Sequence, residues 1–132
     1  MTISLGCIAV AFLLIWVPRV AAAIGQGKRP EGYDNKHPRD QQAKLEGWAR
    51  RAHAAHQNTL EAFAPFAAGV LVAHVGHGRQ SWADALALTF VGARALYPVL
   101  YMANVDKARS AIWTVGVTAT SALLLLPLVA RD

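Results

Sequence analysis

A chain of 132 residues has room for one domain, and 55% hydrophobic against 16% charged residues sets it on the membrane side of the soluble balance. Its one cysteine, Cys7, excludes an intrachain disulfide and reads as a small apolar packing residue. The net charge of +5 is gathered on loops, which argues against nucleic acid as a partner.

Four apolar stretches follow one another along the chain, and a spanning helix needs about 20 largely apolar residues. The first, residues 3–24, is interrupted only by Pro18 and Arg19. It lacks a basic leading segment and exceeds the usual signal-peptide core of about 7–15 residues, so it reads as a retained span. Residues 25–40 hold Gly25, Gly27, Pro30, Gly32, Asp34, Asn35 and Pro38, a composition that predicts an ordered loop at the membrane surface. From Pro38 or Asp40 one helix is expected to run to Val75, with only Pro65 to kink it. Its apolar part, 56–75, makes the second span. Ser81-Trp82-Ala83-Asp84 fits a capping box that opens the third span, 82–103. A short turn at 104–108 leads to the fourth, 111–130, which contains no charge and no polar stripe at helical period. That stretch disfavours a soluble bundle. The expected fold is all-α: a single integral membrane four-helix bundle over 1–132, with up-down topology.

Lys28, Arg29, Lys36, Arg39, Lys44, Arg50, Arg51, Lys107 and Arg109 lie in the connections after the first and third spans. Only Arg79 and Arg131 fall on the other side. The positive-inside rule then places the basic loops in the cytoplasm and both termini outside. The compact loops suit a bacterial inner membrane, and contact with anionic lipid headgroups follows from the charge.

The polar tract 51–66 runs into an apolar helix without a break, so its polar side chains must be satisfied inside protein. Arg51, Asn58 and Glu61 share one face of the second helix, and Arg94, Tyr97 and Tyr101 form a stripe on the third. Glu61 and Arg94 each lie ten residues from the same membrane face, about 15 Å along their helices. An Arg94–Glu61 ion pair is therefore expected, in a polar cleft that opens towards Arg109 and Ser110. The competing reading is interhelical glue, the commoner role for any single Asn or Tyr in a membrane. Ala64-xxx-Ala68, Gly69-xxx-Ala73 and Gly116-xxx-Thr120 are small-residue spacings that serve helix packing. His53/His56 and His74/His77 are spaced i, i+3, but most of a bilayer separates the pairs, and no metal site is expected from them.

Ala55-His56-Gln57-Asn58-Thr59-Leu60-Glu61, followed by Pro65-Phe66, resembles the second-helix signature of the MAPEG family, the membrane-associated proteins in eicosanoid and glutathione metabolism. Arg94-x-x-Tyr97-x-x-x-Tyr101 and then Arg109-Ser110 are similar to its third- and fourth-helix pattern, so the resemblance covers nearly the whole chain. It implies a homotrimer with glutathione bound between protomers on the cytoplasmic side. Asn58 and Glu61 would bind its peptide part, and Arg94, Tyr97 and Tyr101 would line the site. Arg109, with Ser110 beside it, would face the thiol, and a lipophilic electrophile would arrive from the membrane lipid. The implied activity is a glutathione-dependent transferase or peroxidase. Ala54 and Gln57 stand where glutathione-using members tend to carry arginine. Arg50 and Arg51, one turn further out, are the cations that would compensate, with Arg51 as a cofactor-binding residue, or would face lipid headgroups. The alternative is therefore a non-catalytic trimeric membrane protein of the same fold, binding a lipid or another small anion.

Overall fold

A computed structural model describes residues 1–131 as five helices: α1 Ile3–Gly27, α2 Pro38–Ala43, α3 Gly47–Val75, α4 Gln80–Met102 and α5 Asp106–Val129. All but the short α2 are long and apolar enough to cross a membrane. They run up and down as a four-helix bundle, and the chain is a multi-pass integral membrane protein. α1 packs on α3 and α4, α3 on α4 and α5, and α4 on α5.

The bundle is built inside out relative to a soluble one. Leu13, Val17, Val20, Leu71, Val75, Leu88, Val99, Leu125 and Leu128 are exposed on its outer surface. Small residues such as Ala11, Ala52, Ala55, Ala73, Ala83, Ala87 and Ala119 fill much of the interior. Where lipid is as apolar as leucine, helix association rests on close packing, and small side chains permit it. At Gly69 a Cβ would come within 3.1 Å of the Leu123 Cβ, so glycine sets the approach of α3 to α5 there. At Gly25 an added Cβ would overlap Ala49, which makes the α1–α3 crossing glycine-dependent as well. Phe66 and Phe90 are fully buried at the centre and stack with centroids 3.8 Å apart. Each long helix contains one proline: Pro18, Pro65, Pro98 and Pro127.

Two local expectations fail for identifiable reasons. The helix expected from Pro38 or Asp40 to Val75 is broken between Ala43 and Gly47. Gly47 adopts φ +56°, a left-handed conformation that a glycine reaches freely, and the chain turns there as α3 begins. Nor does Ser81 cap the third span, because α4 begins at Gln80 with Arg79 as its N-cap. Asp84 serves another helix end: its Oδ1 accepts from the Ser4 N–H at 2.8 Å, near the start of α1, and from the Gln80 amide at 2.8 Å.

The ordered connection between α1 and α3 hangs on a buried amide. Gln26, with no exposed surface, donates to the Pro38 carbonyl and to Gln41 Oε1, at 3.2 and 3.1 Å. Its own Oε1 accepts from Arg19 and Gln42. Gln41 in turn donates to the Gly32 carbonyl and accepts from the Asp34 N–H. Asp34 Oδ1 accepts the backbone N–H groups of His37 and Lys36, which hold its carboxyl below the ordinary carboxylate range.

Candidate functional site

The basic end of the bundle, where α1 and α4 finish and α3 and α5 begin, holds the polar residues that the apolar spans cannot accommodate elsewhere. α3 contributes Asn58 and Glu61, α4 contributes Arg94, Tyr97 and Tyr101, and α5 contributes Arg109, Ser110 and Trp113. Two cavities meet here. The first, about 220 Å³, is lined by Asn58, Tyr97, Tyr101, Arg109, Ser110 and Trp113. The second, about 330 Å³, lies towards the middle of the bundle, with Asn58, Glu61, Arg94 and Trp113 at its polar end and Pro65, Val117 and Leu124 beyond. Asn58 and Trp113 line both.

Arg94 is the deepest charge, only 2% exposed. Its guanidinium lies between the Phe90 and Tyr97 rings, 5.4 and 5.1 Å from their centroids, with Gly116 of α5 alongside. Nη1 donates to Asn58 Oδ1 at 2.9 Å, while the buried Nε has no partner. The expected Arg94–Glu61 ion pair is not formed, since no such contact falls within 4.0 Å among the described residues. Equal depth on two helices fixes height and leaves direction open. One turn of α3 places Asn58 towards Arg94 and Glu61 outward, where it is exposed on the outer surface of the bundle at the midpoint of its helix.

Nearer the basic end, the Arg109 guanidinium sits 4.4 Å from the Tyr101 ring centroid, and Tyr101 meets Tyr97 edge-on at 5.6 Å. A cation over an aromatic face keeps its charge and its hydrogen-bond donors. Together these residues offer donors for an anion, an amide pair at Asn58 and phenolic hydroxyls, all facing one space.

Of the residues singled out from sequence, Asn58, Tyr97, Tyr101, Arg109 and Ser110 line the first cavity, and Asn58, Glu61 and Arg94 line the second. Arg51 lies apart: its Nε donates to the Met102 carbonyl at 3.0 Å, satisfying the C-terminal end of α4. Arg50 lines neither cavity. Trp113 was missed, although its spacing of four from Arg109 puts it on the same face of α5. Val117, Thr120, Ser121 and Leu124 continue that face. Of the histidine pairs, His56 Nδ1 lies 3.1 Å from the Ile15 carbonyl. His77 sits in the α3–α4 turn with φ +54°. No group of three or more His, Cys, Asp or Glu residues gathers as a metal site among the described residues.

The chain matches the model of the MAPEG family over residues 3–129, nearly its whole length. No curated protein and no solved structure matches it.

Proposed function

This chain belongs to the MAPEG family, and on that footing we propose that it binds glutathione in the paired cavities and directs its thiol to a lipophilic electrophile. The observation that carries the reading is the convergence of Asn58, Tyr97, Tyr101, Arg109 and Ser110 on one cavity. The fit to glutathione is chemical: its carboxylates call for cations, its ammonium for an anion, and its amides for mixed donors and acceptors. Arg94 keeps a buried, unpartnered Nε beside Glu61 and Asn58 in the adjoining cavity. When bound, glutathione supplies a sulfur that bonds to an electrophilic carbon or takes an oxygen from a peroxide.

The chain's own residues have defined tasks in this reading. Arg109, permanently charged, holds the negative charge of the thiol and so favours its ionised form. Ser110 donates a hydrogen bond to the same sulfur. Tyr101 fixes the Arg109 guanidinium by stacking, and Tyr97 positions Tyr101. Asn58 joins Arg94 through its oxygen and turns its NH₂ to the peptide part of the ligand, while Glu61 takes the ligand's ammonium. Pro65, Val117 and Leu124 give the deeper cavity an apolar wall for the second substrate.

Glu61 also supports assembly. A carboxylate facing outward at the midpoint of a membrane helix needs protein against it, since lipid gives it no partner. A homotrimer would supply that protein and close the cavities. We place the basic end in the cytoplasm and the chain in a bacterial inner membrane, on the charge asymmetry of its loops.

Purified protein is expected to bind glutathione saturably, and Arg109→Ala is expected to weaken binding by roughly tenfold or more, in line with the loss of a charge-assisted contact. Titration calorimetry without detectable heat at millimolar glutathione would overturn the reading. The non-catalytic alternative draws on a separate observation, the Arg94–Asn58 bond, which can serve as packing alone. It predicts that Asn58→Leu dissociates or destabilises the assembly while no thiol chemistry is found. Normal assembly of that variant would end it.

A further inference from the structure

A second recess lies on the outer face between α4 and α5, away from the site above. Trp82, Ala85, Leu86, Ala122, Leu125, Leu126 and Val129 line a cavity of about 490 Å³ whose walls are almost wholly apolar. Leu86 also lines its neighbour, about 250 Å³, which continues to Thr89 and Thr114. The hydroxyls of those two threonines are spent on the Ala85 and Ser110 carbonyls within their own helices, which leaves their methyl groups for the trough. From Val129 to Thr114 the trough follows α5 for roughly 22 Å at 1.5 Å per residue. The hydrocarbon of one leaflet is about 15 Å deep, so a lipid chain entering at Val129 is accommodated along its length.

Among the described residues, Arg79 and Arg131 are the arginines of that end, and both stand at the entrance. Their backbones are held together: the Arg79 N–H donates to the Ala130 carbonyl at 3.0 Å, and Gly78 bridges to Arg131. The turn that does this is packed onto the end of α5, since a Cβ at Gly76 would lie 2.7 Å from Pro127 and one at Gly78 would lie 3.1 Å from Leu126. Both side chains are exposed. Arg79 stands 6.0 Å from the ring of Trp82 in the trough wall, and Arg131 is anchored through Nε to the Pro127 carbonyl, leaving its terminal nitrogens outward. Among the described residues, Asp84, the acid of this end, is already engaged by Ser4 and Gln80 on the α1 side.

The geometry points to a binding site for an anionic phospholipid, with an acyl chain in the α4–α5 trough and the phosphate between Arg79 and Arg131. Any lipid covers an apolar trough. The exposed arginines at its mouth make this one selective for negative headgroups. The site is independent of the glutathione reading.

Trp82 in the trough wall provides the probe. The full chain is placed in phosphatidylcholine nanodiscs containing increasing amounts of either phosphatidylglycerol or phosphatidylcholine with brominated chains. Fluorescence quenching of the chain minus that of its Trp82→Phe variant isolates Trp82. Half-maximal quenching is expected at a mole fraction roughly tenfold lower for the brominated phosphatidylglycerol. The double variant Arg79→Gln/Arg131→Gln should bring the two curves together, and Arg79→Lys/Arg131→Lys should keep them apart. Ala85→Phe, which fills the trough without touching either arginine, should abolish the preference even if the glutamine pair fails to fold. Coincident curves for the parent chain, or a preference that survives the glutamine pair or Ala85→Phe, would overturn the proposal. Absence of quenching by either lipid would show the trough covered by protein, such as a second copy, and would overturn it equally.

Discussion

Two buried polar side chains of this bundle are treated in opposite ways. Gln26, at the end of α1, has every hydrogen-bonding position filled: two donated bonds to Pro38 and Gln41, two accepted from Arg19 and Gln42. Arg94, buried almost as completely, pairs only one terminal nitrogen with Asn58 and leaves Nε unmatched beside a cavity. A saturated network fixes a structure, since no member can leave without orphaning another. An unsaturated buried cation destabilises what holds it, and its place is understandable where a ligand completes it.

The comparison can be broken at either end. The largest effect is expected at the saturated end. Gln26→Leu leaves Gln41, Gln42 and the Pro38 carbonyl short of partners and should cost roughly 2–4 kcal/mol of stability. Unfolding in detergent measures this, and the glutathione affinity of the folded fraction should be unchanged. A variant as stable as the parent would remove the distinction between the two clusters. Arg94→Leu should behave the other way. Replacing a poorly compensated buried ion by an apolar side chain should change stability by less than about 1 kcal/mol. Glutathione binding should nonetheless fall by roughly tenfold. Loss of folding together with binding would show that Arg94 acts as packing.

The smallest effect belongs to the loop that Gln26 and Gln41 organise. The depressed pKa of Asp34 arises from the N–H groups of His37 and Lys36. A carboxylate with a folded pKa below its unfolded value, near 3.9 for Asp, adds stability that is complete above that value and lost as pH falls through the folded pKa. The difference in melting temperature between the parent and Asp34→Asn should therefore be present at pH 7 and vanish as the pH is lowered through that range. A difference that persisted in acid would mean the carboxylate charge is not what the loop uses.

The same contrast separates what the sequence made legible from what it hid. Hydropathy and length pointed to α1, α4 and α5, because a lipid-facing helix must be apolar over its whole span whatever its neighbours are. The candidate polar residues could be named because charges within such spans are rare. Their partners could not. Rise per residue put Glu61 and Arg94 at one depth, but rotation about α3 gave Arg94 to Asn58. Asp84 fitted a local cap by spacing, yet it serves the start of α1, a pairing 80 residues apart that no local pattern encodes. The break before α3 depended on one left-handed glycine, Gly47, which a helical pattern tolerates on paper. Gln26 and Gln41 gave no signal, since glutamine is ordinary in a polar connection until it is buried.

The prolines carry a further consequence. Pro65 and Pro98 each lie four residues beyond a site residue, Glu61 and Arg94. A proline has no N–H to give to the carbonyl one turn earlier, so the main-chain oxygens of Glu61 and Arg94 both lose their usual helical donor. Helices flex where that ladder is interrupted. Two of the helices that border the deeper cavity, α3 and α4, thus carry an interrupted hydrogen-bond ladder at one height, each at a residue that lines it.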